Sequence, residues 1–239
     1  MTQARGIFVT GTDTGVGKTV VAAGLVTAFR QRGINVGVMK PISTGGVRRR
    51  ELLLSADAEF LAHVADAPES MRVISPVVLV EPLAPAVAAR RANVEIDLDE
   101  VRRSFAQIVA AHDAVVVEGI GGLLVPIARK YYVADLAAEM GLPLVVVARP
   151  GLGTINHTLL TVEVARARGL TVAGIIINGY NAETAGVAEE TNPGEIEKET
   201  GLPVLTIVPH DPETDPRRPH LGRAVIEACQ AIDFRKLLR

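Results

Sequence analysis

Seven short runs, β-branched and largely apolar and separated by helical stretches, constrain the fold of this chain more than any other feature. "GIFVT" at 6–10 is followed by runs at 35–40, 77–80, 114–118, 144–148, 173–178 and 204–208. A strand with one wet face alternates apolar and polar residues; runs without alternation suit strands covered on both faces. Between them, 18–32 carries Val21, Leu25, Val26 and Phe29 at helical spacing. Segment 98–111 does the same with Val101, Phe105, Ile108 and Val109 behind the acidic start "DLDE". Segments 154–168 and 224–238 look similar. Strands alternating with helices predict an α/β fold: a doubly wound, mostly parallel sheet flanked by helices, with right-handed crossovers. No repeat or low-complexity tract interrupts the chain, so 1–239 reads as a single domain. "VEPLAP" and "HDPETDPRRPHLG" read as loops within it, and 43–55 and 181–194 as loop-rich tracts.

A sheet buried on both faces needs a large apolar inventory, and 48% hydrophobic residues in 239 supply it. The 25 basic and 27 acidic residues leave a net charge of −2, which predicts neither a nucleic-acid footprint nor a polybasic membrane signal. The one cysteine, Cys229, excludes an internal disulfide and favours a reducing compartment. The N-terminus enters a strand-like run almost at once, with no apolar stretch of signal-peptide length. "LPLVVVA" is too short to span a bilayer. A cytoplasmic protein is expected.

Ligands of such sheets bind at the carboxyl ends of strands. After the first run comes "GTDTGVGKT", Gly11 to Thr19. The general phosphate-loop pattern G-x-x-x-x-G-K-[ST] needs a glycine where Thr12 stands, so the loop here is one residue longer. Its physical parts are nevertheless present. Glycines let backbone N–H groups curl inward, and the helix start offers free N–H groups and a positive dipole end. Lys18 suits the β/γ-phosphates and the Thr19 hydroxyl a magnesium ion. A second run, "DAVVVEGIGG", ends in Glu118, a carboxylate where a phosphate-loop ATPase keeps its metal-binding acid.

Lys40 ends "VMK" before "PISTGG". Strand-end lysines ordinarily extend to solvent, but Pro41 and the glycine loop suggest backbone held close to a ligand. Asp57, in "LLLSADAEF", reads by itself as a helix cap or first-turn acid. The turn "RPGLGTINH" opens a helix near Thr154, which suits a bound anion and a plain structural turn equally. His157 reads as a partly buried structural residue, Arg48 to Arg50 as a solvated loop, and Cys229 as filler in an apolar face.

Together "FVTGTDTGVGKT", "MKPISTG", "SADA", "VEGIGG", "GLGTINH", "GIIINGY" and "LPVLTIVPH" resemble the dethiobiotin synthetase family, in order and over nearly the whole chain. That family uses the longer G-x5-G-K-T loop. The resemblance implies ATP- and Mg²⁺-dependent ring closure of 7,8-diaminononanoate with CO₂ or bicarbonate, through a carbamate and a carbamic–phosphoric anhydride, in biotin synthesis. It implies Lys40, Lys18 and Thr14 as catalytic residues, and Thr19, Asp57 and Glu118 as metal ligands. For ATP it implies Gly15, Val16, Gly17, Lys18, Thr19, Val20, Asp57, Glu118, Gly119, Ile120, Gly121, Asn178, Gly179, Pro209, His210 and Asp211. For the diamine it implies Thr14, Lys40 and Thr44, with Ser43 as an alternative hydroxyl. It also implies a homodimer whose partner subunit holds the substrate's carboxylate tail at Leu152, Gly153, Thr154, Ile155 and Asn156.

Two other readings compete. A cobyrinic-acid-type amide ligase would need a glutaminase cysteine, for which Cys229 is poorly placed. A partitioning ATPase of the MinD/ParA type carries an extra lysine at the start of the loop, where this chain has Gly11, Thr12 and Asp13.

Overall fold

The computed structural model describes residues 4–216 and 218–238; residues 1–3, Arg217 in the proline-bearing loop, Arg239 and the side chain of Lys236 lie outside that description. Six of the seven apolar runs form one sheet, as strands β1 (Gly6–Gly11), β2 (Val36–Met39), β3 (Ala114–Glu118), β4 (Leu144–Ala148), β5 (Val172–Tyr180) and β6 (Val204–Pro209). All pairings are parallel, in the order β6-β5-β4-β1-β3-β2. Phe8 stands level with Val117 on one side and Leu144 on the other. The chain winds outward to β2, returns to β3, then winds the other way through β4, β5 and β6. The carboxyl end of β1 therefore lies where the winding reverses, the place where such sheets bind ligands.

The unbroken apolar runs are explained by cover on both faces. Ile7, Val9, Val116, Val145 and Val147 pack against helix α1 (Lys18–Arg30), helix α2 (Ala56–Ala65) and the helix Arg223–Gln230. On the opposite face Phe8, Val115, Val117 and Leu144 meet the helices Leu98–Ala111 and Val133–Met140, through Val101, Ile108, Val133 and Leu136. Cys229 fills the first core, and a side chain at Gly24 of α1 would strike its sulfur. Burial pushes the Cys229 thiol up to about 12. The expected result is that Ellman's reagent leaves the folded protein untouched and titrates one thiol only in denaturant; rapid reaction of the native protein would contradict this burial.

Four expectations need correction. The run at 77–80 is a strand, Val77–Leu79, but it pairs with Ile42–Thr44 in a separate two-stranded sheet. The loop expected at 43–55 contains a hairpin, Val47–Arg49 with Leu52–Leu54, turning at Arg50, whose φ is +56°. The tract expected as loop at 181–194 contains the start of a helix, Val187–Thr200, with Pro193 inside it. The helix expected over 224–238 stops at Gln230, and a short 3-10 turn, Phe234–Lys236, follows, with Asp233 accepting from the Arg235 N–H. Among the described residues no helix is long and apolar enough to cross a membrane.

Candidate active site

The loop between β1 and α1 is fixed at both ends. Thr12 N donates to Val147 O of β4 at 2.9 Å, and Asp13 Oδ1 accepts from Thr14 N at 2.7 Å. Gly15 and Gly17 hold φ of +78° and +87°, a region that glycine enters without steric cost. Gly17 precedes α1 and no side chain caps that helix start, so the first-turn N–H groups are free to meet an anion. Lys18 folds back across the loop, its Nζ donating to Asp13 O at 2.9 Å. Burial, and after it the charge of Lys40, lower the Lys18 ammonium to about 8. The sequence reading passed over Asp13. Its place inside the loop was the available signal, and its carbonyl and carboxylate both organise that loop.

Four elements bring the remaining charged residues together. Lys40, just past β2, is 3% exposed, and Glu118, the last residue of β3, is 1% exposed. Lys40 Nζ donates to Glu118 Oε1 at 2.6 Å and to Gly119 O at 3.0 Å. Asp57, in the first turn of α2, places Oδ2 3.4 Å from the same ammonium. Thr19 Oγ1, in the first turn of α1, donates to Glu118 Oε1 at 2.9 Å. Burial opposes a charge on Lys40, but Glu118 and Asp57 outweigh it and hold the ammonium above its usual range. Lys40 therefore does not extend to solvent. Nor is Asp57 the cap of its helix: Ser55 Oγ accepts from Ala58 N, which leaves the Asp57 carboxylate aimed at Lys40.

The expected metal ligands fit a magnesium ion by chemistry. Thr19, Asp57 and Glu118 are hard oxygen donors, and Glu118 Oε2 is buried with no hydrogen-bond partner. Two carboxylates and a hydroxyl form a small set, as suits an ion that keeps waters and takes phosphate oxygens.

The other expected residues divide. Ser43 Oγ is buried and shares a hydrogen bond with Ser75 Oγ at 3.2 Å, while Thr44, the other candidate hydroxyl, is half-buried. Asn178 Nδ2 donates to Val16 O at 3.0 Å, so one amide hydrogen serves the loop. His210 N donates to Tyr180 O. The Asp211 carboxylate accepts from Glu213 N and Ala224 N, which engages it in its own loop and at the next helix start. Gly119, Ile120 and Gly121 follow Glu118 directly, and Gly121 adopts a φ of +58°. Leu152, Gly153 and Asn156 are exposed while Thr154 is buried. Their turn is held from behind by Asn192 Nδ2, which donates to Pro150 O at 2.7 Å. Half-buried His157 faces Arg149, Nδ1 to Nη2 3.3 Å. With Leu160 it lines a groove of about 430 Å³ that also borders Thr12, Asp13 and Thr14. Of the three arginines, Arg49 pairs with Glu59 of α2 at 3.0 Å on the surface.

This geometry can be set beside known proteins. A family model described as an AAA domain matches residues 5–218. The ATP-dependent dethiobiotin synthetase BioD of Thermodesulfovibrio yellowstonii is 41% identical over 212 residues, 86% of this chain and 88% of that protein. The protein of the same name from Anaeromyxobacter sp. (strain K) is 45% identical over 218 residues, 91% of this chain and 96% of that one. The chain belongs to the ATP-dependent dethiobiotin synthetase family. Among solved structures, the MinD cell division protein of Aquifex aeolicus superposes with a TM-score of 0.60 at 14% identity, covering 95% of this chain and 94% of that one. A ParA family ATPase from Chlorobium tepidum gives 0.52 at 19% identity, covering 95% and 91%. Identity this low speaks to the fold alone. The chain shares its fold with these two proteins.

Proposed function

We propose that this ligase closes the ureido ring of dethiobiotin from 7,8-diaminononanoate, CO₂ and ATP. The observation that carries the reading is the buried Lys40–Glu118 pair, with a free Glu118 oxygen, beside a second buried lysine at a phosphate loop. One diamine nitrogen takes up CO₂ and loses a proton to give a carbamate. A carbamate oxygen attacks the γ-phosphorus and ADP leaves. The second nitrogen then attacks the carbamoyl carbon and loses a proton, the ring closes and phosphate departs.

The central step brings two anions together. A carbamate charge about 5 Å from a phosphate charge repels by roughly 3 kcal/mol at an effective dielectric near 20. Lys18 serves the phosphate side. Lys40, held charged by Glu118 and Asp57, stands where carbamate and γ-phosphate meet, and supplies stabilisation in place before the reaction begins. Thr19, Asp57 and Glu118 would hold Mg²⁺, which when bound neutralises phosphate charge. Thr14 and Thr44 contact the diamine. Gly15 to Val20, Gly119 to Gly121, Asn178, Gly179 and Pro209 to Asp211 surround ATP.

The carboxylate tail is held at Leu152 to Asn156 of a second copy. Leu152 is 87% exposed and Leu160, on the following helix, 58%, and Leu160 lines one groove with the exposed Leu124 of the loop after Glu118. Exposed apolar side chains on this side of the molecule suit a covered face. We expect ATP hydrolysis only when diaminononanoate and bicarbonate are both present, from a species that sediments as a dimer. Brisk hydrolysis without the diamine, stimulated by a protein or lipid surface, would favour the partitioning reading.

A further inference from the structure

Asn178 stands at the carboxyl end of β5, two strands away from β1, yet it acts on the phosphate loop. Its Nδ2 donates to Val16 O at 3.0 Å. The next residue, Gly17, has a φ of +87°, and a Cβ built there would lie 2.0 Å from the same Nδ2. The amide thus fills the space that a side chain at position 17 would need. In a trans peptide the carbonyl of one residue and the N–H of the next point in opposite directions. Anchoring Val16 O on Asn178 therefore turns the Gly17 N–H away from Asn178. We infer that Asn178 is a positioning residue for the phosphate loop, which it locks in its anion-binding conformation whatever base is attached to the phosphates.

This inference rests on the proposed reading of the loop as the ATP site, and goes beyond a contact between Asn178 and the adenine. Its experiment separates phosphates from base. Affinities for Mg-ATP and for Mg-bound inorganic tripolyphosphate, which has no base, are measured by calorimetry on the wild type, Asn178→Ala and Asn178→Asp. Asn178→Asp keeps the shape but sets an acceptor against Val16 O, and remains readable if Asn178→Ala fails to fold. The loss of one positioned hydrogen bond is expected to weaken tripolyphosphate by about tenfold, and ATP by at least as much. Melting temperatures close to wild type show that the change is not general unfolding. Unchanged tripolyphosphate affinity alongside weakened ATP would mean that Asn178 reads the base only, and would overturn the inference while leaving the ATP site standing. A wild type that binds neither ligand would overturn the ATP reading and this inference with it.

Discussion

Lys40→Ala is expected to lower turnover by a factor of about 10² to 10³ while Mg-ATP still binds. The scale is that of removing one preorganised donor from a site where charge develops. Binding survives because the loop N–H groups, Lys18 and the α1 start are untouched, and Lys40 contacts none of them. The structure adds a second effect that the sequence alone did not imply. Glu118 is 1% exposed, and without Lys40 its buried charge keeps only the Thr19 hydroxyl as a partner. Removing one member of a buried ion pair costs about 3–5 kcal/mol. For a chain of this length that lowers Tm by about 6–20 °C. Kinetics should therefore be measured well below the variant's own melting point, with ATP affinity determined on the same sample. A kcat equal to wild type at saturating diamine and bicarbonate would remove Lys40 from the reaction. A large fall in kcat without any fall in Tm would instead show that losing the pair costs no stability, as when Glu118 takes up a proton once the lysine is gone.

What the sequence showed clearly was whatever left a periodic or chemical trace. The six central strands were legible because burial on both faces leaves uninterrupted runs such as "AVVVE" and "LVVVA". The helix Val187–Thr200 was not. Its buried positions are Asn192, Ile196 and Thr200, evenly spaced at four residues, but only one of them is apolar. Asn192 is buried because it holds Pro150 O, and Thr200 because its hydroxyl returns to Ile196 O at 2.6 Å. A helix whose inner face is polar and internally satisfied leaves no hydrophobic stripe, and Pro193 and Gly194 read as breakers. At the site, Lys18, Thr19 and Glu118 were legible from their motifs. Lys40 and Asp57 were ambiguous, since each has a common bland use. Their convergence depends on β2 and β3 being neighbours and on Ser55 capping α2, which no local pattern states.

Gly17→Ala and Gly15→Ala form a matched pair in which strain and collision can be told apart. Both glycines sit at positive φ, +87° and +78°, so each alanine carries the same backbone penalty of about 1–2 kcal/mol. Their surroundings differ. A Cβ at Gly15 has no atom within 4 Å, whereas a Cβ at Gly17 falls 2.0 Å from Asn178 Nδ2. Gly17→Ala must therefore also displace the amide and break its bond to Val16 O. Overpacking adds about 1–3 kcal/mol and the lost hydrogen bond about 1 kcal/mol. The free protein can escape these costs by letting the loop adopt another conformation, so they fall on the ligand that needs the original one. Gly15→Ala should then weaken Mg-ATP about five- to thirtyfold, and Gly17→Ala by more than 100-fold. Equal losses in the two variants, measured by calorimetry at one magnesium concentration, would show that the contact with Asn178 does not govern the loop. A larger loss at Gly15 would mean that bound phosphate passes so close to that residue that even a methyl group obstructs it.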